Sequence, residues 1–405
     1  MNTKDNINSN TKQKFLGNKG FIIFIGFLSA FVPMSTDLYL PALPSMLNDF
    51  HTTEQVLNLT ITFFFVFYAI GMLFWGPLSD KYGRRKILII GTCFYFIGSL
   101  MCALSDTVPL LIVSRIVQAL GSGASVSIST AMMKDLYTGK KLTSMLALVQ
   151  SIAMTTPVIA PSLGSFILQY TSWHGIFWVL TIVSLIALIG GFLLQETLDT
   201  FSTGTIIQVF SKLKVVSKNP SFSLLVFIFT ITALPLMAYI STSSYIYIDG
   251  FHLTDQTYTK YYSFTAIFLV LGPMFYIKLS NKFKSNIIMT CCFIVLIASG
   301  IILIIFGNTS PLAFSLSLIP AMFCGNMLKP PSTNLILAQQ NDNIGSASSL
   351  LSFANTIMGS IGMIIITLNV GNKIVAIGTM YLIISSISLI LWITQGRRPF
   401  IKQID

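Results

Sequence analysis

Gly76-Pro77-Leu78-Ser79-Asp80-Lys81-Tyr82-Gly83-Arg84-Arg85-Lys86 gathers most of the chain's chemical contrast into one short stretch, with a long apolar run on either side. It reads as a charged hinge between two membrane helices. Part of it returns: Leu78-Ser79-Asp80-Lys81-Tyr82 reappears as Leu279-Ser280-Asn281-Lys282-Phe283, 201 positions later and about half the chain away. A fixed offset of that size marks a duplicated unit. Two halves of apolar helices related by an internal repeat predict a transporter, with its substrate site between the halves at mid-membrane depth.

Composition supports a lipid solvent. Of 405 residues, 54% are hydrophobic and only 9% charged, with a mean hydropathy of +0.79, too apolar for a fold that needs a polar exterior. In lipid every backbone group must be satisfied within the chain, which leaves helices or a closed barrel. The apolar runs reach about 20 residues, enough to cross a ~30 Å hydrocarbon core as a helix, and they lack the alternation of barrel strands. The net charge of +11 sits in short loops rather than on one face, so it reports orientation and not nucleic-acid binding. Cys93, Cys102, Cys291, Cys292 and Cys324 fall inside apolar runs without C-x-x-C spacing and read as packing residues. His51, His174 and His252 are dispersed near helix ends, so no metal site follows.

The pattern predicts twelve transmembrane helices in two pseudo-symmetric six-helix halves, at about 20–46, 55–78, 86–104, 107–133, 142–168, 173–194, 221–248, 259–279, 285–306, 310–338, 345–369 and 373–394. The expected organisation is a cytoplasmic tail (1–19), a first half (20–194), a cytoplasmic linker (195–220), a second half (221–394) and a second tail (395–405). The first tail carries Lys4, Lys12, Lys14 and Lys19 and no cleavage site follows the first apolar run, so it reads as a tail and not a signal peptide. Placing the amino terminus inside puts Lys81 to Lys86, Lys134, Lys140, Lys141, Lys212, Lys214, Lys218, Lys278, Lys282, Lys284, Arg397, Arg398 and Lys402 on that side, with only Lys260 and Lys373 outside. That asymmetry sets both termini in the cytoplasm.

Ionisable residues within the predicted helices are costly in lipid and are therefore site candidates. Asp37 lies in the outer half of the first helix, in Ser35-Thr36-Asp37-Leu38-Tyr39-Leu40-Pro41-Ala42-Leu43-Pro44. A carboxylate held away from water can take up and release a proton as access alternates; the alternative is an acid that merely caps the outer helix end. Arg115, in Arg115-Ile116-Val117-Gln118-Ala119-Leu120-Gly121-Ser122-Gly123-Ala124, stands ~12 Å from its helix end by the ~1.5 Å rise per residue, a depth similar to that of Asp37. The two are expected to sense each other, with a structural ion pair or backbone clamp as the other reading. Lys329 precedes Pro330-Pro331 in the tenth helix and either snorkels to the inner interface or faces the cavity beside Asn326 and Asn334. Gln118, Gln150, Asn326, Asn334 and Asn355, with Tyr239, Ser243 and Tyr245, supply hydrogen bonds either to an amphiphilic cargo or between helices. In the charged hinge, Asp80 is expected to latch the inner gate by binding an opposing helix end or a basic side chain, while Arg84, Arg85 and Lys86 also obey topology alone.

These residues resemble the major facilitator superfamily. Gly76 to Lys86, with Gly76, Asp80, Gly83, Arg84 and Arg85 in place, matches its signature loop between second and third helices. The Arg115-x-x-Gln118-x-x-Gly121-x-Gly123 segment resembles the fourth-helix motif of its drug:proton antiporters, where the arginine is implicated in proton transfer. Pro157-Val158-Ile159-Ala160-Pro161-Ser162-Leu163-Gly164-Ser165 is similar to the fifth-helix antiporter motif, carried here by Pro157, Pro161 and Gly164, with Ala160 and Ser165 as departures. Together with Ser172-Trp173-His174-Gly175-Ile176-Phe177-Trp178, it is similar to the bicyclomycin/chloramphenicol-resistance (Bcr/CflA) group. The resemblance implies multi-pass placement in a bacterial plasma membrane and export of small molecules in exchange for protons by rocking of the halves. Lys329-Pro330-Pro331 departs from the general drug pattern and favours the alternative, export of an anionic or zwitterionic metabolite such as a siderophore or metallophore.

Other classes fit poorly. H-E-x-x-H, G-x-S-x-G and Walker A sequences are all absent, which argues against an enzyme or an ATP-driven pump. A channel lacks its repeated filter. The expected partners are a small-molecule substrate, protons and the lipid bilayer, without nucleic acid; the expected working unit is a monomer with no cofactor, driven by the proton gradient.

Overall fold

Among the described residues of the computed structural model, twelve helices are long and apolar enough to cross a membrane. They are α1 (Gly17–Asp49), α2 (Glu54–Tyr82), α3 (Arg84–Ala103), α4 (Val108–Leu136), α5 (Gly139–Leu168), α6 (Trp173–Leu193), α7 (Pro220–Gly250), α8 (Asp255–Leu279), α9 (Ser285–Phe306), α10 (Pro311–Leu337), α11 (Ile344–Thr367) and α12 (Lys373–Gln395). The structure describes residues 13, 15–199, 201, 206–340, 344–368, 371–396 and 401–402, and among them there is no strand. Lys4, Lys12, Lys14, Arg397 and Arg398 lie outside the described residues. Large apolar side chains point outward, as on α6, where Ile182, Ile186 and Ile189 form a stripe more than half exposed. Such a stripe suits a lipid surface and not water.

The repeat is visible in the backbone. α2 and α8 begin 201 positions apart, at Glu54 and Asp255, and so do α3 and α9, at Arg84 and Ser285. The first pieces of α1 and α7 end at Ser29 and Thr230, again 201 apart. Packing repeats with the same pairing: α1 lies on α5 as α7 lies on α11, α2 on α4 as α8 on α10, and α3 on α6 as α9 on α12. The halves meet along two seams, α2 with α11 and α5 with α8.

Proline explains where the spans break. In α1, Pro33, Pro41 and Pro44 remove three backbone donors, and the span divides into Gly17–Ser29, Phe31–Asp37, Leu40–Ala42 and Leu43–Asp49. α7 breaks between Thr230 and Ala233, just ahead of Pro235, and α10 between Met327 and Lys329, ahead of Pro330 and Pro331.

Two expectations are corrected. The charged hinge is helical from Gly76 to Tyr82, because α2 runs on through Pro77, and only Gly83 turns, with φ +100. A side chain is strained at that φ, and a Cβ there would also lie 2.6 Å from Glu196 Oε2. The stretch between α6 and α7 contains a helix, Ile206–Ser217. α8 also starts a turn earlier than expected, where Thr254 Oγ1 accepts from Thr257 N at 3.4 Å and caps it.

Candidate functional site

At the break in α1 the backbone supplies its own polar site. Tyr39 N turns back to Thr36 O at 3.2 Å, so the carbonyl of Ser35 loses its helical partner. Arg115 of α4 takes it: Nη1 donates to Ser35 O at 2.9 Å and to Gln118 Oε1 at 2.6 Å. Gln118 Nε2 then donates to Ser99 Oγ at 2.9 Å, Ser99 Oγ to Tyr95 O at 2.8 Å, and the Tyr95 hydroxyl meets Ser35 Oγ at 2.6 Å. The ring of contacts closes between α1, α3 and α4. The guanidinium lies 4.2 Å from the Phe64 ring and 5.3 Å from the Tyr39 ring, fully buried, and its Nε and Nη2 have no partner. Aromatic faces offset part of the cost of that buried charge.

Asp37 faces away from this ring. No salt bridge joins it to Arg115, although the two were expected to sense each other; Asp37 is two residues beyond the carbonyl that Arg115 holds, on the other side of the helix turn. Its Oδ1 accepts from the Tyr262 hydroxyl of α8 at 3.3 Å, in the other half, and the residue is 4% exposed. The next residue, Ser263, donates to Val158 O of α5 at 2.6 Å, between Pro157 and Pro161. Two successive residues of α8 thus reach the acid of α1 and the proline segment of α5. Gly164 sets α5 against α1: a Cβ there would sit 2.1 Å from Leu38 O. Only glycine permits that approach.

Around Tyr262 lies a cluster of aromatic hydroxyls. Tyr239 stacks on it with ring centroids 6.0 Å apart and bonds Thr265, while Tyr258 packs edge-on at 5.9 Å and bonds Ser243. Sequence reasoning named Tyr239, Ser243 and Tyr245 but missed Tyr258, Tyr262 and Ser263. The signal was present in Tyr258-Thr259-Lys260-Tyr261-Tyr262-Ser263, an unusually hydroxyl-rich stretch for a membrane span.

In the second half, Lys329 lines a cavity of about 220 Å³ between α7, α10 and α11, with Asn355 on its α11 wall. Asn326 and Asn334, expected beside it, are not on that wall. Asn334 follows by five residues, about 140° round a helix, and is exposed elsewhere. Asn326 is buried, and its backbone lies against Gly272 of α8, where a Cβ would come within 3.4 Å of the Asn326 carbonyl carbon. Gln150 is exposed.

The hinge residues form a separate cluster at the end of the molecule where Gln13 bonds Gln195. Arg84 pairs with Asp80 and with Asp135 Oδ2 at 3.0 Å, and also donates to Ser79 Oγ. Glu196, missed in the sequence, accepts from the backbone amides of Arg84 at 3.0 Å and Arg85 at 3.1 Å and so caps α3. Arg85 donates to Phe192 O, and Gly76 faces Ser127 of α4. Of the two partners expected for Asp80, the structure gives the basic side chain, Arg84 one turn on in the same half, and not an opposing helix end. At the far end, Glu54 of α2 and Lys373 of α12 form an ion pair between the halves.

The sequence profile of the Major Facilitator Superfamily matches residues 25–363. The chain belongs to that superfamily. It is a multi-pass membrane transporter of the superfamily and not an enzyme. It is 28% identical over 347 residues to the "Uncharacterized MFS-type transporter YdgK" of Bacillus subtilis, covering 83% of this chain and 86% of the relative. To the "Multidrug resistance protein MdtL" of Escherichia coli O157:H7 it is 24% identical over 93% of this chain and 96% of that one. The "Bicyclomycin resistance protein homolog" of Haemophilus influenzae is 31% identical over 41% of this chain and 42% of its own length. Among solved structures, a D-xylose-proton symporter superposes with a TM-score of 0.73 at 15% identity, over 92% of this chain and 96% of the symporter. That likeness carries the superfamily fold alone.

Proposed function

We propose that this superfamily member is a proton-coupled exporter, an antiporter that moves small amphiphilic organic molecules by alternating access, of the multidrug or antibiotic efflux type. One observation carries the reading: Asp37 is buried at the seam between the halves and hydrogen-bonded across it to Tyr262. A proton arriving on that carboxylate changes a contact between the halves, which is the linkage a coupled carrier needs. The relatives named for multidrug and bicyclomycin resistance support the efflux type. In this reading the proton gradient is the only energy source and no cofactor takes part. The protein works as a monomer in a bacterial plasma membrane, with both termini and the linker at about 195–220 in the cytoplasm. The Glu54–Lys373 pair then closes the outer face, and rocking about the α2–α11 and α5–α8 seams opens it.

The test is transport by everted vesicles under an imposed pH gradient. Asp37→Asn is expected to insert and fold normally but to lose gradient-driven uptake, and normal uptake by that variant ends the proposal. A second reading, export of an anionic or zwitterionic metabolite such as a siderophore or metallophore, is favoured by the place of Lys329 in a cavity wall without carboxylates. Comparing a lipophilic cation, chloramphenicol and an anionic chelator in the same vesicles separates the two.

A further inference from the structure

Two broken helices converge on the cavity in the second half. α7 is interrupted after Thr230 and α10 after Met327, and Lys329 is the first residue of the resumed α10. Broken spans facing each other at mid-depth are where superfamilies of this architecture expose backbone and half-helix ends to a ligand. The first two turns of resumed helix are unusual, because Pro330 and Pro331 carry no N–H and Ser332 N is already bonded to Leu328 O at 3.1 Å. Residues 330 to 332 of the helix end therefore contribute its field but no free backbone donor. A donor must come from a side chain.

Lys329 is that side chain. It lines the cavity with an exposed surface, and among the described residues no hydrogen bond or ion pair reaches its ammonium. Independently, Thr230 lines the same cavity; the residue is 2% exposed and its buried hydroxyl has no partner. A helical threonine ordinarily bonds back to its own helix, as Thr232 does to Phe229 O at 2.6 Å. Ser348, Ser352 and Asn355 add polar side chains from α11, and no aspartate or glutamate lines the cavity. An ammonium, a free hydroxyl and an amide converge with no acid to satisfy them.

We propose that this cavity is a subsite for a carboxylate of the transported molecule, held by Lys329 and Thr230 with Ser352 and Asn355 beside them. The inference rests on the export reading above and names the chemistry of its cargo. A carboxylate supplies two oxygens and only accepts, which matches a wall of donors, and the charge-assisted bond to Lys329 is the strongest it can form there. The volume of about 220 Å³ is below the range of about 300–1,000 Å³ for pockets that take a whole drug-sized molecule, so the subsite seats one group of the cargo. A cationic group in the same place meets Lys329 as a like charge.

The experiment is equilibrium binding to the purified full chain in nanodiscs of neutral lipid, without any gradient. The probes are an N-dansyl amino acid and its methyl ester, which differ only at the carboxyl group. The acid is expected to bind the wild type about tenfold or more tightly than the ester. Lys329→Gln is expected to erase that difference while leaving the ester unchanged, Lys329→Arg to retain it, and Thr230→Val to reduce it, all with unaltered melting temperatures. Equal binding of acid and ester, no binding of the acid, or a preference that survives Lys329→Gln overturns the subsite. So does loss of the preference when phosphatidylglycerol is added, which assigns Lys329 to a lipid headgroup instead. Because no gradient is present, failure here with Asp37-dependent transport intact removes the subsite and leaves the exporter, and the reverse result removes the coupling alone.

Discussion

At the scale of single residues, Arg115 poses a question of sign. Its two good hydrogen bonds each contribute about 1 kcal/mol, whereas burying a guanidinium without a carboxylate costs several kcal/mol after relaxation. The balance predicts that Arg115→Met leaves the melting temperature unchanged or raises it, while transport falls by an order of magnitude or more. A marked drop in melting temperature instead makes Arg115 a structural clamp on α1 and nothing further. Both Asp37 and Arg115 were legible in the sequence, because a charge inside an apolar run is rare and expensive. Their separation was not. Equal depth along two helices says nothing about azimuth, and the turn of the chain at Tyr39 gave Arg115 a carbonyl in place of the acid.

At the scale of elements, the informative features are the breaks and the close approaches. Gly164→Ala places a methyl 2.1 Å from the Leu38 carbonyl, so α5 and α1 must part. Overpacking of that kind costs about 1–3 kcal/mol, and a melting temperature lowered accordingly is the expected result. At the far end, the Glu54–Lys373 pair ties α2 to α12 above Tyr245, whose hydroxyl is buried without a partner, as are both polar side-chain atoms of Asn58. Groups left unpaired under a closed end find water when it opens. Glu54→Gln is therefore expected to raise labelling of a cysteine at position 58 by a membrane-impermeant maleimide, and the reversed pair Glu54→Lys with Lys373→Glu to restore protection. Unchanged labelling in Glu54→Gln shows that the ion pair does not hold this end. The hinge was misread at its charged residues: the expected helix already passed Pro77, but Asp80 and Lys81 looked like a loop, whereas α2 continues to Tyr82 and stops only at Gly83.

For the whole molecule, the 201-residue offset means that each contact has a counterpart in the other half, except where chemistry has diverged. The first half carries the acid and the buried arginine, and the second carries the hydroxyl-rich α8 and the lysine cavity. In the proposed exporter, rocking of the halves changes the α5–α8 seam, where Ser162 Oγ and Ser263 Oγ stand 3.5 Å apart. A double replacement, Ser162→Cys with Ser263→Cys in a chain freed of its five native cysteines, is expected to crosslink on mild oxidation and to arrest transport, with recovery on reduction. Full transport in the crosslinked protein excludes movement at that seam.

The division between sequence and tertiary structure follows from what each kind of information is. Hydropathy and length settle the helical spans because the bilayer imposes one thickness and forbids unpaired backbone, and the repeat follows from a motif occurring twice at a fixed offset. The charged motif near Gly83, the buried acid and the buried cations are equally local, so they can be read from the chain. Which side chains meet is not local. Tyr262 reaches Asp37, Glu196 caps α3, and Lys329 shares a cavity with Thr230 from which Asn326 and Asn334 are excluded, because those outcomes depend on helix rotation and on breaks where freed carbonyls redirect the chain. Rotation of one apolar helix against another leaves almost no trace in composition, since every face is apolar; only packing decides it.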